Sequence, residues 1–196
     1  DITQVDMSKG NWLVLSSANY FLDDAKDLCE IQGWYYQFKG MNSVSLKLLL
    51  ALNNWEQWRK GELLNHLEIK NIYEYLGSSV VPGFQKGKTL HSDTKYKIEE
   101  CQKDHGLITS AVWFDAFEGL DPITETYIRN MRANGEMINK NPRIIMSTIH
   151  GAKGGEADNV LLLQDLTGAA IETFSHDPDE LHRLFYTGAT RAKREL

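Results

Sequence analysis

The chain has 196 residues, 42% of them hydrophobic and 24% charged, with a net charge of −6. That is a soluble, globular balance, enough for one sizeable core and a small second lobe. The acidic sign argues against a dedicated nucleic-acid binder, which is usually basic. The longest apolar runs, such as Val160 to Leu163, are far too short to span a bilayer. No basic-then-apolar stretch follows Asp1, so no signal peptide is expected. Two cysteines, Cys29 and Cys101, are too few for a disulfide framework. They read as free thiols of a reducing compartment, and a cytoplasmic location is expected. The missing initiator Met suggests an excised fragment, or numbering that begins after one.

In chain order, the run Trp12 to Leu15 predicts a buried strand. Ser16, Ser17 and Asn19 supply turn and N-cap chemistry for a helix carrying Phe21, Leu22, Ala25, Leu28 and Cys29. Gly33 ends that helix, and Trp34 to Phe38 predicts a second strand. This is the β-α-β rhythm of a mostly parallel sheet.

The middle of the chain reads as helical. Ser43 to Arg59 and Leu63 to Leu76 predict helices closed by Gly61 and Gly77. Gly83 to Asp93 reads as a loop, and Leu107 to Phe117 as a third helix. Asp121-Pro122 starts a fourth helix, lined by Ile123, Tyr127, Ile128 and Met131 and stopped by Gly135. After Pro142 the α/β rhythm returns. Strands are predicted at Arg143 to Ile149 and Asn159 to Gln164, and a helix at Asp179 to Tyr186. Leu196 falls in mid-pattern, where a strand is expected next, which suggests truncation.

Two segments carry chemistry. Thr148 to Glu156, T-I-H-G-A-K-G-G-E, is a strand end opening into a loop of small residues. Such a loop lets backbone N–H groups approach a phosphate. Thr148 and His150 can donate to a phosphate oxygen, and the Glu156 carboxylate suits a ribose hydroxyl. In the second, Arg183 to Leu196, Leu184 and Phe185 anchor a helix and a turn at Gly188 presents Thr190 and Arg191. An arginine so placed can bind a γ-phosphate bidentately.

Thr148-Ile149-His150-Gly151-Ala152-Lys153-Gly154-Gly155-Glu156 resembles motif V of the superfamily 1 UvrD/Rep-like DNA helicases, T-x-H-x-x-K-G-x-E. Arg183 to Ala192, R-L-F-Y-T-G-A-T-R-A, resembles motif VI, R-L-x-Y-V-G-x-T-R-A. Both stand in the family's order and near its separation. The W-L-V-L strand occupies the place of motif IV, but Ser16 or Ser17 stands where the family usually has an arginine.

The resemblance implies the second, C-terminal RecA-like half of an ATP-dependent helicase. The P-loop and the Mg2+-binding acidic pair would belong to the first half. The implied architecture is an α/β parallel sheet of residues 1–40 and 141–196, interrupted by a helical insertion at 41–140. That insertion matches the family's accessory subdomain but is smaller, as in a compact, phage-type member. Carried over, Arg191 is the arginine finger and Glu156 the ribose contact, with Gly154 also at the nucleotide. Thr148 and His150 face single-stranded DNA, while Lys153, Gly154 and Thr190 couple the two sites. The implied ligands are ATP with Mg2+, single-stranded or partly duplex DNA, and the N-terminal RecA-like domain, with 3′-to-5′ movement. DNA would touch a narrow strip, so an acidic surface elsewhere is compatible.

Two other readings compete. Gly83 to Thr89, G-x-x-x-G-K-T, is one residue short of a Walker A loop, and Asp165 mimics a Walker B aspartate. The shorter loop would not wrap a phosphate in the same way, so an exposed basic loop is expected. A non-catalytic interaction module of helicase shape is the second reading. Retention of Arg191, Glu156 and Lys153 weighs against it. Tyr186 and the tryptophans are expected in the core, Trp58 least clearly. The six histidines and two cysteines show no metal-ligand spacing.

Overall fold

The computed structural model describes residues 2–82, 90–136, 140–152 and 154–196, apart from the side chains of Thr173 and Phe174. The G-x-x-x-G-K-T segment and Lys153 lie outside the described residues. The chain opens with β1 (Trp12–Ser16), α1 (Asp23–Gln32), β2 (Tyr36–Phe38) and β3 (Met41–Asn42). Next come α2 (Leu46–Arg59), β4 (Leu64–Asn65), α3 (His66–Tyr73), β5 (Lys95–Tyr96), α4 (Ile98–Asp104) and α5 (Trp113–Ala116). Then α6 (Pro122–Ala133) leads to β6 (Ile144–Thr148), β7 (Ala157–Leu162), α7 (Gly168–His176), α8 (Pro178–Ala189) and β8 (Ala192–Glu195). Two compact units result: Asp1–Ser43 with Tyr127–Leu196, and Val44–Thr126. No helix among the described residues is long and apolar enough to cross a membrane.

The first unit is the expected α/β sheet. Its six strands run in the order β3-β2-β6-β1-β7-β8. All neighbours are parallel except β2 and β3. Lys39 and Gly40 close that hairpin with φ of 51° and 77°, the left-handed values that match the twist of paired strands. Register sets Val14 beside Met146, and Leu13 beside both Ile145 and Val160. Alternation then divides the strands between two faces. Val14, Ile144, Met146 and Tyr36 are buried on one face. On the other, Leu13, Leu15 and Val160 form a core with Ile149, Leu184 and Phe185.

The helix after β1 starts later than the serine-rich turn predicts. Asn19–Leu22 is a 3-10 turn, and α1 follows without a side-chain cap. Ser16 is instead fully buried and donates its Oγ–H to the Ala18 carbonyl at 2.7 Å. Gly33 ends α1 at φ 68°, and a Cβ there would lie 2.5 Å from the Asn130 backbone carbon of α6. Only glycine allows that approach. Tyr127 of α6 donates to the Trp34 carbonyl at 2.7 Å. Arg143 then ties together the chain on either side of the strands. Its Nη2 meets Glu136 Oε1 at 2.5 Å, and its Nη1 donates to the Met7 carbonyl. The Glu136 side chain is only 7% exposed.

The second unit has an aromatic core. α2 buries Leu48, Leu49, Leu52, Trp55 and Trp58, capped by Ser45 Oγ accepting from Leu48 N–H. Trp55 and Trp58 donate to the Ala111 and Tyr96 carbonyls at 3.0 and 2.9 Å. Trp58 is therefore a core residue. Tyr75 stacks on Phe117 with centroids 5.8 Å apart.

Two predicted helices change here, and one helix is added. The second starts at His66, because Asn65 and Glu68 form a capping box and Leu64–Asn65 pairs with Lys95–Tyr96. The third, expected over Leu107 to Phe117, shrinks to α5. Leu107 bridges Val80, and Ile108 N–H donates to the Ser79 carbonyl at 2.8 Å. Its β-branched residues favour that extended path. The polar α4 was not foreseen. Cys29 and Cys101 are buried and unpaired, and burial pushes both thiols up to about 12.

Arg143→Ala should destabilise the protein by about 3 kcal/mol, since it strands a buried Glu136 carboxylate. Urea unfolding of the variant, with Glu136→Gln/Arg143→Met as the reference, checks this. A second test concerns the exposed Glu118. Its carboxylate accepts from Ser78 Oγ at 2.5 and 2.6 Å and from Ser78 N–H at 3.2 Å. These bonds hold its pKa below the ordinary value of 4.5. A depressed pKa stabilises fully above that ordinary value and is lost as pH falls through the folded one. The stability gap between wild type and Glu118→Gln should therefore be constant at neutral pH and shrink below pH 4.5, as chemical denaturation at stepped pH would show.

Candidate functional site

β6 and β7 run parallel on either side of β1. Residues 149–156 must therefore cross the face of β1. Ile149 and Ala152 pack against Leu13 and Leu15 as they do so. Ile149 N–H donates to the Ser16 carbonyl, and Ala152 N–H to the Thr148 carbonyl, each at 2.9 Å. Thr148 Oγ1 accepts from Gly151 N–H at 3.0 Å. A Cβ at Gly151 would lie 2.7 Å from Ser147 Oγ and 3.0 Å from Thr148 Oγ1. The small residues of this motif thus serve a tight crossover as well as any ligand.

Helix α8 begins at Pro178, and the Asp177 carboxylate caps it by accepting from Asp179 and Glu180 N–H. Leu181 and Gly188 are buried, and Leu184 and Phe185 pack into the core. A Cβ on Gly188 would meet Leu162 Cδ1 at 3.0 Å. Gly188 therefore lies inside the helix, against β7, rather than in the predicted turn. The helix ends at Ala189, and exposed Thr190 donates its Oγ1–H to the Thr187 carbonyl at 3.1 Å. A strand that the sequence pattern does not place, β8, precedes Leu196. Tyr186 is 71% exposed, not core, because it stands on the flank of α8 away from Leu184.

Arg191 sits between α8 and β8, half-buried. Its carbonyl accepts from Ala157 N–H at 3.2 Å. Its Nη1 donates to the Gly155 carbonyl at 3.0 Å. Its Nε is shut off from solvent and has no partner among the described residues. An unsatisfied buried donor of this kind is rare in folded proteins and asks for an explanation.

Two clefts flank the crossover. The first, about 570 Å³, is lined by Ser17, His150, Thr167, Arg183, Thr187 and Arg191, with apolar Ile149 and Leu184 beneath. The second, about 770 Å³, is lined by Lys39, Thr148, Gly151, Gly155, Glu156 and Lys193. Glu156 pairs with Lys193 at 3.2 Å, both side chains more than half exposed. Arg191 and His150 thus share one cleft, and Thr148 and Glu156 the other. Arg191 reaches the wall of the second cleft through the Gly155 carbonyl and the Ala157 N–H. Gly154, at φ 84°, forms the corner of the loop.

Two cleft residues are assigned no ligand contact by the sequence alone. Ser17 donates to the Asp165 carbonyl at 2.7 Å and faces the first cleft. Arg183 precedes Thr187 and Arg191 at spacings of four and eight, a helical stripe visible in the sequence.

No curated protein and no solved structure matches the chain. The family model for the UvrD-like helicase C-terminal domain matches residues 88–196, more than half of the chain. The match takes in the crossover, α8 and Arg191, and leaves out β1, α1 and β2. The chain belongs to the UvrD-like helicase C-terminal domain family.

Proposed function

We propose that this chain is the second RecA-like half of an ATP-dependent DNA helicase and that Arg191 is its arginine finger. The observation that carries the reading is the state of that side chain. It lines a cleft, is anchored by one bond to Gly155, and keeps a buried donor unsatisfied. A fixed guanidinium needs little reorganisation when negative charge develops on a transferring phosphoryl group. Phosphate oxygens from a nucleotide held by the N-terminal RecA-like half would accept from its Nη groups.

The other motif residues take supporting roles. Glu156 offers its carboxylate to a ribose hydroxyl. It would first have to leave Lys193, and the exposure of that pair makes the exchange inexpensive. Thr148 keeps its hydroxyl hydrogen for an outside acceptor, since its oxygen already accepts from Gly151. With His150, it contributes to a track for the single-stranded DNA backbone. Gly154, Lys153 and Thr190 link that track to the finger. Val44–Thr126 stands where the family places an accessory subdomain. Mg2+ with ATP would be held by the other half, where it would offset phosphate charge.

The isolated chain should hydrolyse no MgATP above background, with or without single-stranded DNA, in a phosphate-release assay. Robust DNA-stimulated turnover by the chain alone would overturn the division of labour. In an enzyme containing both halves, Arg191→Ala should cut ATP turnover about 10³-fold. Unchanged thermal unfolding would show that the loss is chemical. A near-normal rate would remove the finger assignment.

A further inference from the structure

We infer that Arg183 is a second phosphate-binding guanidinium of the Arg191 cleft, one that holds a polyphosphate tail rather than one that speeds its cleavage. The inference rests on the nucleotide reading of that cleft. Arg183, Thr187 and Arg191 all line it. The first two lie one turn apart on α8, about 6 Å of helical rise, and Arg191 follows in the turn just beyond the helix. A stripe of two cations with a hydroxyl between them suits a chain of linked anions better than a single one. The cleft holds one carboxylate, Glu180, against these two guanidinium groups.

The two arginines are held differently, and that separates their roles. Arg191 is half-buried and tethered to Gly155. Arg183 is 69% exposed and meets Asp177 Oδ2 at 3.6 Å, with Asp177 itself 54% exposed. An exposed pair of that length contributes little and is screened by salt. Arg183 is therefore free to leave Asp177 for a stronger acceptor, such as a phosphate, which takes a guanidinium bidentately. Asp177 competes with that acceptor, and it also caps α8 through its other oxygen. A mobile cation that binds ground state and transition state alike changes affinity, not the chemical rate.

The test is calorimetric titration of the chain with inorganic tripolyphosphate, which carries the phosphates without base or sugar. Arg183→Ala and Arg191→Ala should each weaken binding about tenfold, while Arg183→Lys retains most of it as a point charge. Asp177→Asn keeps the cap, because the amide oxygen still accepts, and should tighten binding about twofold to threefold. Raising the salt should abolish these differences. If only Arg191→Ala weakens binding, the role of Arg183 is overturned and the finger stands. If the wild type does not bind, or Arg183→Ala binds as wild type does, the inference falls. The finger is judged separately, by the turnover of Arg191→Ala in the two-half enzyme. There Arg183→Ala should raise KM for ATP about tenfold and leave kcat within about twofold, and the reverse pattern would also overturn the inference.

Discussion

The site depends on one constraint of chain geometry. Two parallel strands, β6 and β7, flank β1, and only residues 149–156 join them. Parallel strands of one sheet are usually joined by a dozen or more residues and a full helix. Here the chain turns at once, at Thr148, and crosses directly over Leu13 and Leu15. Apolar residues at Ile149 and Ala152 give that crossing a floor. Glycines at 151 and 154 let it bend. Residues that look selected for a ligand are thus also the ones that close the sheet.

Helix α8 distributes three tasks around its circumference. Its inner face, with Leu181 and Leu184, seals the core. One flank carries Arg183 and Thr187 into the smaller cleft. The other carries His182 and Tyr186 beside Leu162 and Phe185. The helix also sets the height of Arg191, since Gly188 brings it close to Leu162 before the chain enters β8. A bulkier residue at Gly188 would lift the whole stripe away from the crossover.

Much of the sheet was legible because its strands are short apolar runs bounded by glycine and proline. WLVL and the strand before His150 fall within a residue or two of their predicted limits. The motifs were legible because their residues are consecutive. What was hidden depends on partners far along the chain. Ile108 to Val112 looked helical by composition, yet the Ser79 carbonyl and Val80 draw its start into an extended path. Tyr186 looked apolar enough for a core, but the helix turns it outward. The division of motif V between two clefts was invisible too, because alternation along a strand end does not say where the next turn will go. Arg183 was overlooked for the opposite reason. Its spacing to Arg191 was in view, but without the cleft it was one more surface charge.

The position of β1 in the sheet has a bearing on how the protein is made. Both of its neighbours come from beyond residue 143, while β1 itself ends at Ser16. During synthesis the first strand and helix must wait, unpaired, until the whole of Val44–Thr126 and two more strands have emerged. That intervening segment is continuous and carries its own aromatic core. Its independent collapse would draw the waiting ends together and shorten the effective loop that the sheet must close. A collapsed insert would then act as an internal splint for its host, and it could complete its core only after synthesis had run well past residue 126 and cleared Phe117 from the ribosome.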